Sequence, residues 1–267
     1  MSKIFFLGAG KMATAIAGGM VSSGAFSVDE LEAFDPDCSA AGNFTSTTGV
    51  HSTNSSPASG IKSAQTVVIA VKPQVISGAL AACGDLLKDK LLISIAAGVP
   101  ISRLQELTGC SRIIRVMPNT PALVKQGATA YALSEDTLPE DGELAEKIFS
   151  AVGIALKVKE EELDAVTALS GSGPAYVFEF IQALADGGVA EGLSRDTALK
   201  LAVQTVAGAA EMVSVTGEHP TSLKDKVTSP AGTTSRALEI LAERGFAGSI
   251  IKAVRAAADR SRELGKK

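Results

Sequence analysis

The sequence predicts an α/β fold in which an N-terminal Rossmann-type, doubly wound parallel sheet is followed by an all-α C-terminal domain. Three observations lead to this prediction. Short apolar runs alternate with helical patterns up to residue 159, a glycine-rich turn joins the first run to the first helix, and the rest of the chain has helical spacing only. We therefore expect one domain at residues 1–159 and a second at residues 160–267.

The first half contains five segments with the composition of strands. Two of them are nearly continuous apolar runs, which are typical of parallel strands covered on both faces. The first helical pattern, KMATAIAGGMVSSG, is expected to end at Gly24, and His51 lies in a Ser/Thr-rich segment that we expect to be a loop. The predicted strands are KIFFLGAG, ELEAFD, AQTVVIAV, KLLISIAAG and RIIRVMPNTP.

The second half carries helical patterns with wide apolar, Ala-rich faces. Faces of this kind are often buried against a second subunit, so we expect this half to form a homodimer interface. The predicted helical segments are ELDAVTALSGSGPAYVFEFIQALADGGVAEGL, RDTALKLAVQTVAGAAEMV, TSRALEILAERG and GSIIKAVRAAADRSREL.

Composition limits the classes of partner. A net charge of −4 gives no basic footprint, so nucleic acid is not an expected partner. No uninterrupted apolar run reaches the ~18 residues that a bilayer span needs, and the first apolar stretch, Ile4–Leu7, is too short for a secretory signal. The three cysteines match neither a zinc spacing nor a disulfide framework, which favours reduced thiols, a cytoplasmic protein and no bound metal.

The turn after the first strand is a candidate anion site. Gly8, Gly10 and Ala13 match the G-x-G-x-x-G/A pattern, which places a pyrophosphate on the backbone N–H groups at a helix N-terminus. The alternative is a turn with only a structural role. Asp35 ends the second strand, where a carboxylate accepts hydrogen bonds from the ribose 2′-OH and repels a 2′-phosphate; alternatively, Asp35 is a turn residue before Pro36.

A second candidate anion site lies near the end of the chain. SPAGTTSRAL, residues 229–238, places a glycine and two hydroxyls just before a predicted helix. A helix start of this kind presents free backbone N–H groups to an anion. The alternative is an ordinary N-cap formed by Thr233 or Thr234.

Several stretches together resemble the pyrroline-5-carboxylate reductase family over nearly the whole chain. They are FFLGAGKMATAI, AVKPQ, SIAAGV, RVMPNTPALV, ALSGSGPAYVFEFIQALADGG and, above all, LKDKVTSPAGTTSRALE. The resemblance implies reduction of 1-pyrroline-5-carboxylate to L-proline, the last step of proline biosynthesis, with NADPH or NADH as the cofactor. Where the family usually has the first of two adjacent glycines, this chain has Ala231, which costs about 1 kcal/mol or more if φ is positive there.

The resemblance also assigns residues. It implies that the Ser229–Thr234 loop holds the substrate carboxylate and that Thr234 acts catalytically by hydrogen bonding to the ring nitrogen. Asp35 stands where members that prefer NADPH often have a small hydroxyl residue, and Lys72 is alternatively a solvated strand end. The implied substrate contacts are Ser229, Gly232, Thr233 and Thr234; the implied cofactor contacts are Leu7, Gly8, Ala9, Gly10, Lys11, Met12, Asp35, Asn54, Ala70, Val71, Lys72, Pro73, Ala96, Ala97 and Gly98.

The chemistry suits a chain without a catalytic histidine. A cyclic imine is protonated before hydride transfer, whereas a ketone needs a proton donor during it. We expect His51 and His219 to be surface residues. The family forms dimers through its C-terminal helices and often rings of five dimers, so the resemblance implies a homodimer and admits a decamer.

Two other functions are alternatives at this point. A 3-hydroxyacid-type dehydrogenase has a similar two-domain plan, but it carries a catalytic lysine at a Gly-rich helix start, and SGSGPAYVFEF contains none. The second alternative is a dinucleotide-sensing protein without turnover.

Overall fold

The computed structural model describes residues 3–265, which form two compact units. Unit 1 comprises the residues up to Ser172 together with those from Ala256 onward, and unit 2 is Gly173–Arg255. The compact units divide after Ser172, and unit 1 also includes the C-terminal segment. These units are defined by contacts, so the domain boundary expected after residue 159 stays a prediction.

Unit 1 contains an eight-stranded sheet with the order β3-β2-β1-β4-β5-β6-β7-β8. Neighbouring strands among β1 to β6 are parallel, β7 is antiparallel to β6, and β8 is parallel to β7. The order reverses at β1, which creates a crevice at the carboxyl ends of the strands. The strands are β1 Ile4–Leu7, β2 Leu31–Phe34, β3 His51–Thr53, β4 Thr66–Ile69, β5 Leu91–Ser94, β6 Ile113–Met117, β7 Gly127–Leu133 and β8 Gly153–Lys157.

Three strands, β3, β7 and β8, were not among the predicted ones. The expectation of a loop around His51 is wrong, because His51 is the first residue of β3 and pairs with Glu32 of β2. Both β3 and β8 are edge strands, and β3 has only three residues. The side chains of both edge strands are partly exposed, whereas every residue of β4 and β5 is buried. The edge strands therefore lack the continuous apolar run that identified β4 and β5.

Helices cover both faces of the sheet. One core cluster includes Ile16 of the first helix and Phe149, and the cluster on the opposite face includes Ile61, Leu80 and Leu104. This burial on both faces explains the apolar composition of β4 and β5. The helices of this part of the chain are α1 Lys11–Ser22, α2 Cys38–Thr48, α3 Ala58–Ser63, α4 Ile76–Ala81, α5 Ile101–Thr108, α6 Pro139–Ser150 and α7 Leu163–Val166.

Among the described residues, every regular element from Glu160 onward is helical, which confirms the all-α prediction for this half. A π-helical turn, Thr167–Gly171, precedes unit 2. The remaining helices are α8 Gly173–Ala190, α9 Arg195–Thr216, α10 Pro220–Lys226, α11 Thr233–Glu243 and α12 Phe246–Gly265, the last of which begins in unit 2 and ends in unit 1.

Unit 2 buries small residues and exposes large apolar ones. Helices α8 and α9 pack through Ala185, Ala198 and Ala202. Leu201 is 54% exposed and Val215 is 73% exposed on α9. Within residues 3–265, α9 is the one helix whose length and mean hydropathy would allow it to cross a membrane. Of its most apolar 18-residue stretch, 11% is buried inside the protein. The absence of a membrane partner therefore stays a prediction.

Candidate functional site

A cleft of about 350 Å³ lies at the carboxyl ends of the central strands in unit 1. Nine of the residues assigned to the cofactor by resemblance line it together, and they come from three separate segments of the sequence. The sheet brings these segments together because β1, β4 and β5 are parallel neighbours that end at the same edge. The nine residues are Gly10, Lys11, Met12, Ala70, Val71, Lys72, Pro73, Ala96 and Ala97.

The glycine turn at the base of the cleft requires glycine at position 8. Gly8 has φ +108°, and a Cβ atom there would lie 2.7 Å from the carbonyl oxygen of Ala70. Apart from the residues adjacent to Gly10 in the chain, no described residue has a heavy atom within 4 Å of the position of a Cβ there, so the space beside the turn is open. Ala13, 1% exposed, packs in the sheet core. The turn therefore leaves room for a group to approach the backbone.

The N-terminus of α1 is free to bind an anion. Gly10 is the N-cap residue, it makes no side-chain cap, and the first turn contains no acidic residue. The exposed lysines Lys11 and Lys72 line the same cleft. Free backbone N–H groups, the positive end of a helix dipole and two ammonium groups together fit a dinucleotide pyrophosphate.

Asp35 follows β2 directly and holds the glycine turn. Its Oδ2 accepts a hydrogen bond of 2.9 Å from the Ala9 N–H, and its Oδ1 accepts one of 3.0 Å from the Asp37 N–H. Asp35 is therefore a turn residue, which was one of the two roles expected from the sequence. Its carboxylate also lies beside the glycine turn of the G-x-G-x-x-G/A pattern. It is half-buried, with no lysine or arginine following it in the sequence until Lys62.

Asn54 follows β3, one strand farther from the cleft, and donates a hydrogen bond of 2.7 Å from Nδ2 to the Sγ of Cys38. The strand order places Asp35 and Asn54 on the same side of β1. In dinucleotide-binding folds of this type, a carboxylate after β2 contacts the ribose of the adenosine, so a dinucleotide in the cleft would have its adenosine on this side. Neither residue lines the cleft itself.

Four further assigned residues lie outside the lining of the cleft. Leu7 and Ala9 are 2% exposed, and their side chains belong to the apolar core rather than to the cleft. Gly8 forms the turn itself, and Gly98, with φ +75°, lies beyond Ala97, where its Cβ would be 4.0 Å from the Cβ of Leu264.

The sequence assignment missed three residues that line the cleft: Ile95, Met117 and Pro118. The Met117 side chain packs closely against Gly171 of the π turn, where a Cβ would lie 2.4 Å from the Met117 Cε. The signal was available, because Ile95 lies in SIAAGV and the other two lie in RVMPNTPALV.

In unit 2, the loop before α11 has the backbone that the second anion site needs. The N-cap of α11 is Gly232, with no side-chain cap, and Thr233 and Thr234 are the first two helical residues. Neither threonine therefore forms the ordinary N-cap that was the alternative. A Cβ on Gly232 would lie 2.3 Å from the Oγ of Ser229, which could rotate away, and 3.1 Å from the Ser229 carbonyl oxygen, so a side chain there would be tightly packed.

Ala231 has φ +54°, in the left-handed region. In this region a residue with a Cβ is about 1–2 kcal/mol less favourable than glycine. The alanine in place of the family's glycine therefore carries the conformational cost that was expected for a positive φ. The loop keeps its turn despite this cost, with a hydrogen bond of 3.0 Å from the Gly232 N–H to the Ser229 carbonyl.

Both histidines are exposed, as expected. The Nδ1 of His219 accepts a hydrogen bond of 3.2 Å from the Thr221 N–H and so caps α10. Neither histidine lines the cleft. In the described part of the chain, no group of three or more His, Cys, Asp or Glu side chains is arranged to hold a metal ion.

Two protein families match separate parts of this chain. The family described as NADP oxidoreductase coenzyme F420-dependent matches residues 3–98, and the family described as pyrroline-5-carboxylate reductase dimerisation matches residues 160–264. A pyrroline-5-carboxylate reductase of Arabidopsis thaliana is 48% identical over 98% of this chain and 95% of the relative. The chain belongs to the pyrroline-5-carboxylate reductase family.

Solved structures of pyrroline-5-carboxylate reductases have the same fold. The Coxiella burnetii enzyme superposes with a TM-score of 0.93 at 37% identity, covering 98% of both chains. A Plasmodium falciparum pyrroline carboxylate reductase with NADP bound superposes with a TM-score of 0.88 at 35% identity, covering 99% of this chain and 98% of that one. Family membership therefore rests on sequence and on structure.

The placement of Asn54 predicts that a bound cofactor protects Cys38. Cys38 is exposed, whereas burial raises the pKa of the Cys83 and Cys110 thiols, so Cys38 should react first with a disulfide reagent. NADH at ten times its dissociation constant should slow that reaction about tenfold, as the free fraction falls.

Stopped-flow labelling of the native protein measures this rate, and Cys38→Ser serves as the control because it should remove the fast phase. An unchanged rate with NADH bound would place the adenosine away from Asn54.

Proposed function

We propose that the protein is a pyrroline-5-carboxylate reductase, which reduces the C=N bond of 1-pyrroline-5-carboxylate to give L-proline in the last step of proline biosynthesis. The observation that carries this proposal is the uncapped N-terminus of α11 behind a Ser/Gly/Thr loop, in a segment that matches the family. Together with the uncapped α1, the chain has two anion-binding helix starts, one for each anionic reactant.

The cofactor is NADPH or NADH, which supplies the hydride when bound. The N–H groups of Gly10, Lys11 and Met12 hold its pyrophosphate, since those of Gly8 and Ala9 already donate to Phe34 and Asp35, and Lys11 and Lys72 add positive charge. Asp35 and Asn54 contact the adenosine half. Ala70, Val71, Pro73 and the Ala96–Gly98 strip line the nicotinamide side.

The substrate is held by its carboxylate. Ser229, Gly232 and Thr233 bind this group through backbone N–H groups and hydroxyls, and the Thr234 hydroxyl hydrogen bonds to the ring nitrogen. An iminium carbon is electrophilic before the reaction begins, so the chain supplies orientation and a dry site rather than a proton donor. This chemistry agrees with two histidines that both lie outside the cleft.

The two alternatives fit the structure less well. In a 3-hydroxyacid-type dehydrogenase the alkoxide needs a proton donor, and SGSGPAYVFEF, which forms the end of the π turn and the start of α8, contains no lysine. In a dinucleotide sensor without turnover, the hydroxyl-rich loop before α11 has no role. Oxidation of NAD(P)H with and without 1-pyrroline-5-carboxylate distinguishes turnover from sensing.

We further propose a cytoplasmic homodimer, joined through the C-terminal helices, that has no membrane or nucleic-acid partner. The exposed apolar side chains of unit 2, among them Phe178, Leu201 and Val215, support burial against a second copy. Assembly of five such dimers into a decamer is the finer form of the same proposal.

The first prediction from this proposal concerns Thr234. Thr234→Ala should lower kcat/KM for 1-pyrroline-5-carboxylate by about ten- to a hundredfold, since a hydrogen bond to a charged group is worth about 1.5–3 kcal/mol. NAD(P)H affinity, measured by cofactor fluorescence, should change little. Thr234→Val keeps the shape and should give the same loss. Near-normal steady-state kinetics in both variants would exclude a role for the hydroxyl, and an equal loss of cofactor binding would assign the loop to the cofactor.

The second prediction concerns cofactor preference. Asp35→Ser should raise the ratio of kcat/KM with NADPH to kcat/KM with NADH by about tenfold, because about 1.4 kcal/mol of repulsion on the 2′-phosphate is removed. Asp37→Ser is the matched control: it removes a nearby charge from the N-cap of α2 but keeps a capping side chain. If Asp35→Ser leaves the ratio at its original value, the carboxylate does not face the ribose.

The third prediction concerns assembly. Leu201→Glu places a charge on the exposed apolar face of α9 and should convert the dimer to particles of one 27.2 kDa chain, as measured by light scattering. Gln204→Glu, at an exposed polar position of the same helix, should leave the mass unchanged. A Leu201→Glu protein that stays dimeric would place the interface elsewhere.

A further inference from the structure

Glu160 joins helix α5, which follows a loop of the cleft, to strand β6, which ends at the cleft. Its Oε1 accepts a hydrogen bond of 2.8 Å from the Ile101 N–H, and the same oxygen accepts one of 3.1 Å from Nη1 of Arg115. Ile101 is the first residue of α5, and Arg115 lies in β6. A single carboxylate oxygen therefore links α5, β6 and the segment that follows β8.

Helix α5 depends on this carboxylate for its N-terminal cap. Its N-cap residue is Pro100, which makes no side-chain cap. A carboxylate at a helix N-terminus satisfies a free N–H group and interacts favourably with the helix dipole. The cap comes from a residue 59 positions later in the sequence, so tertiary structure alone provides it.

The capped end of α5 is also the end of a loop that lines the cleft. Residues 95–100 connect β5 to α5, and Ile95, Ala96 and Ala97 of this loop line the cleft. At one end the Ile95 N–H donates a hydrogen bond of 3.0 Å to the Ile69 carbonyl of β4. At the other end the cap on Ile101 holds the loop, so the position of Glu160 sets where the loop ends.

Arg115 makes the placement of Glu160 specific. The residue is 9% exposed, and a buried guanidinium needs a carboxylate partner because an unpaired buried charge is costly. Met117, two residues farther along β6, lines the cleft as well. Both partners of Glu160 are therefore connected by short stretches of backbone to residues of the cleft wall.

The strand order identifies which half of a dinucleotide lies against this wall. Asp35 after β2 marks the adenosine side of β1, and β4, β5 and β6 lie on the other side. The loop and Met117 consequently face the nicotinamide half. We propose that Glu160 is a positioning residue that holds the nicotinamide side of the cleft in the geometry needed for hydride transfer.

This inference rests on the proposed reductase activity, so its test uses variants of the full-length protein. Glu160→Ala removes both hydrogen bonds, and Glu160→Gln keeps an acceptor for the Ile101 N–H but removes the charge beside Arg115. Glu161→Gln is the matched control, because the neighbouring Glu161 side chain is 79% exposed and its nearest cation, Lys159, is 3.9 Å away.

Glu160→Ala should lower kcat about ten- to a hundredfold, since a displacement of about 1 Å at a reacting centre has an effect of this size. The primary isotope effect with 4-deuterated NAD(P)H should rise as hydride transfer becomes rate-limiting, and the dissociation constant of NAD(P)H should stay within about threefold, because the Gly8–Met12 turn determines it. The kcat and isotope effect of Glu160→Gln should lie between those of Glu160→Ala and those of the unaltered protein. Glu161→Gln should have the same kcat and isotope effect as the unaltered protein.

Several outcomes would overturn the inference. One is a Glu160→Ala protein with unchanged kcat and isotope effect; another is an equal loss of turnover and cofactor binding, which indicates a purely structural role. If Glu160→Ala does not fold, Glu160→Gln decides, and unchanged kinetics in it count against the inference. If the unaltered protein binds NAD(P)H but does not turn over, the proposed reaction fails; the fluorescence of the bound nicotinamide then tests Glu160 by itself, and identical spectra in Glu160→Ala contradict the inference.

Discussion

The close approach of the Gly8 turn to the end of β4 is the contact on which the rest of the cleft depends. A Cβ at Gly8 would lie 2.7 Å from the Ala70 carbonyl oxygen, so β1 and β4 can end side by side only if this residue is glycine. Because the turn is that tight, α1 begins directly above the crevice with an uncapped N-terminus. The Asp35 carboxylate then secures the turn from the neighbouring strand through the Ala9 N–H.

A second helix N-terminus without a side-chain cap occurs in unit 2, and the loop before it is strained. Gly232 occupies the N-cap of α11 without a side-chain cap, as Gly10 does for α1. The loop before it contains Ala231 at φ +54°, a conformation that favours glycine. A residue with a Cβ in this region stores about 1–2 kcal/mol of strain, which the surrounding loop must offset. Strain of this kind is tolerated where the backbone has a function that depends on its geometry.

The two units differ in how they treat apolar surface. In unit 1, helices on both faces of the sheet bury large side chains such as Phe6 and Phe149 completely. In unit 2, alanines fill the contact between α8 and α9, which lets the helices approach closely but buries little area. Large apolar side chains remain on the outside, and this distribution is the expected one for a segment whose core is completed by another chain.

The sequence by itself determined the parallel core of the sheet, the glycine turn and the helical second half, because these follow from local rules: apolar periodicity and the conformations open to glycine. Most of the cleft lining was implied by the resemblance of several stretches to the family. The tertiary structure alone decided the edge strands β3 and β8 and the positive φ of Ala231. It also decided that Glu160 caps α5 and pairs with Arg115. Edge pairing and long-range capping depend on which segments meet in space, and no pattern within either segment records that meeting.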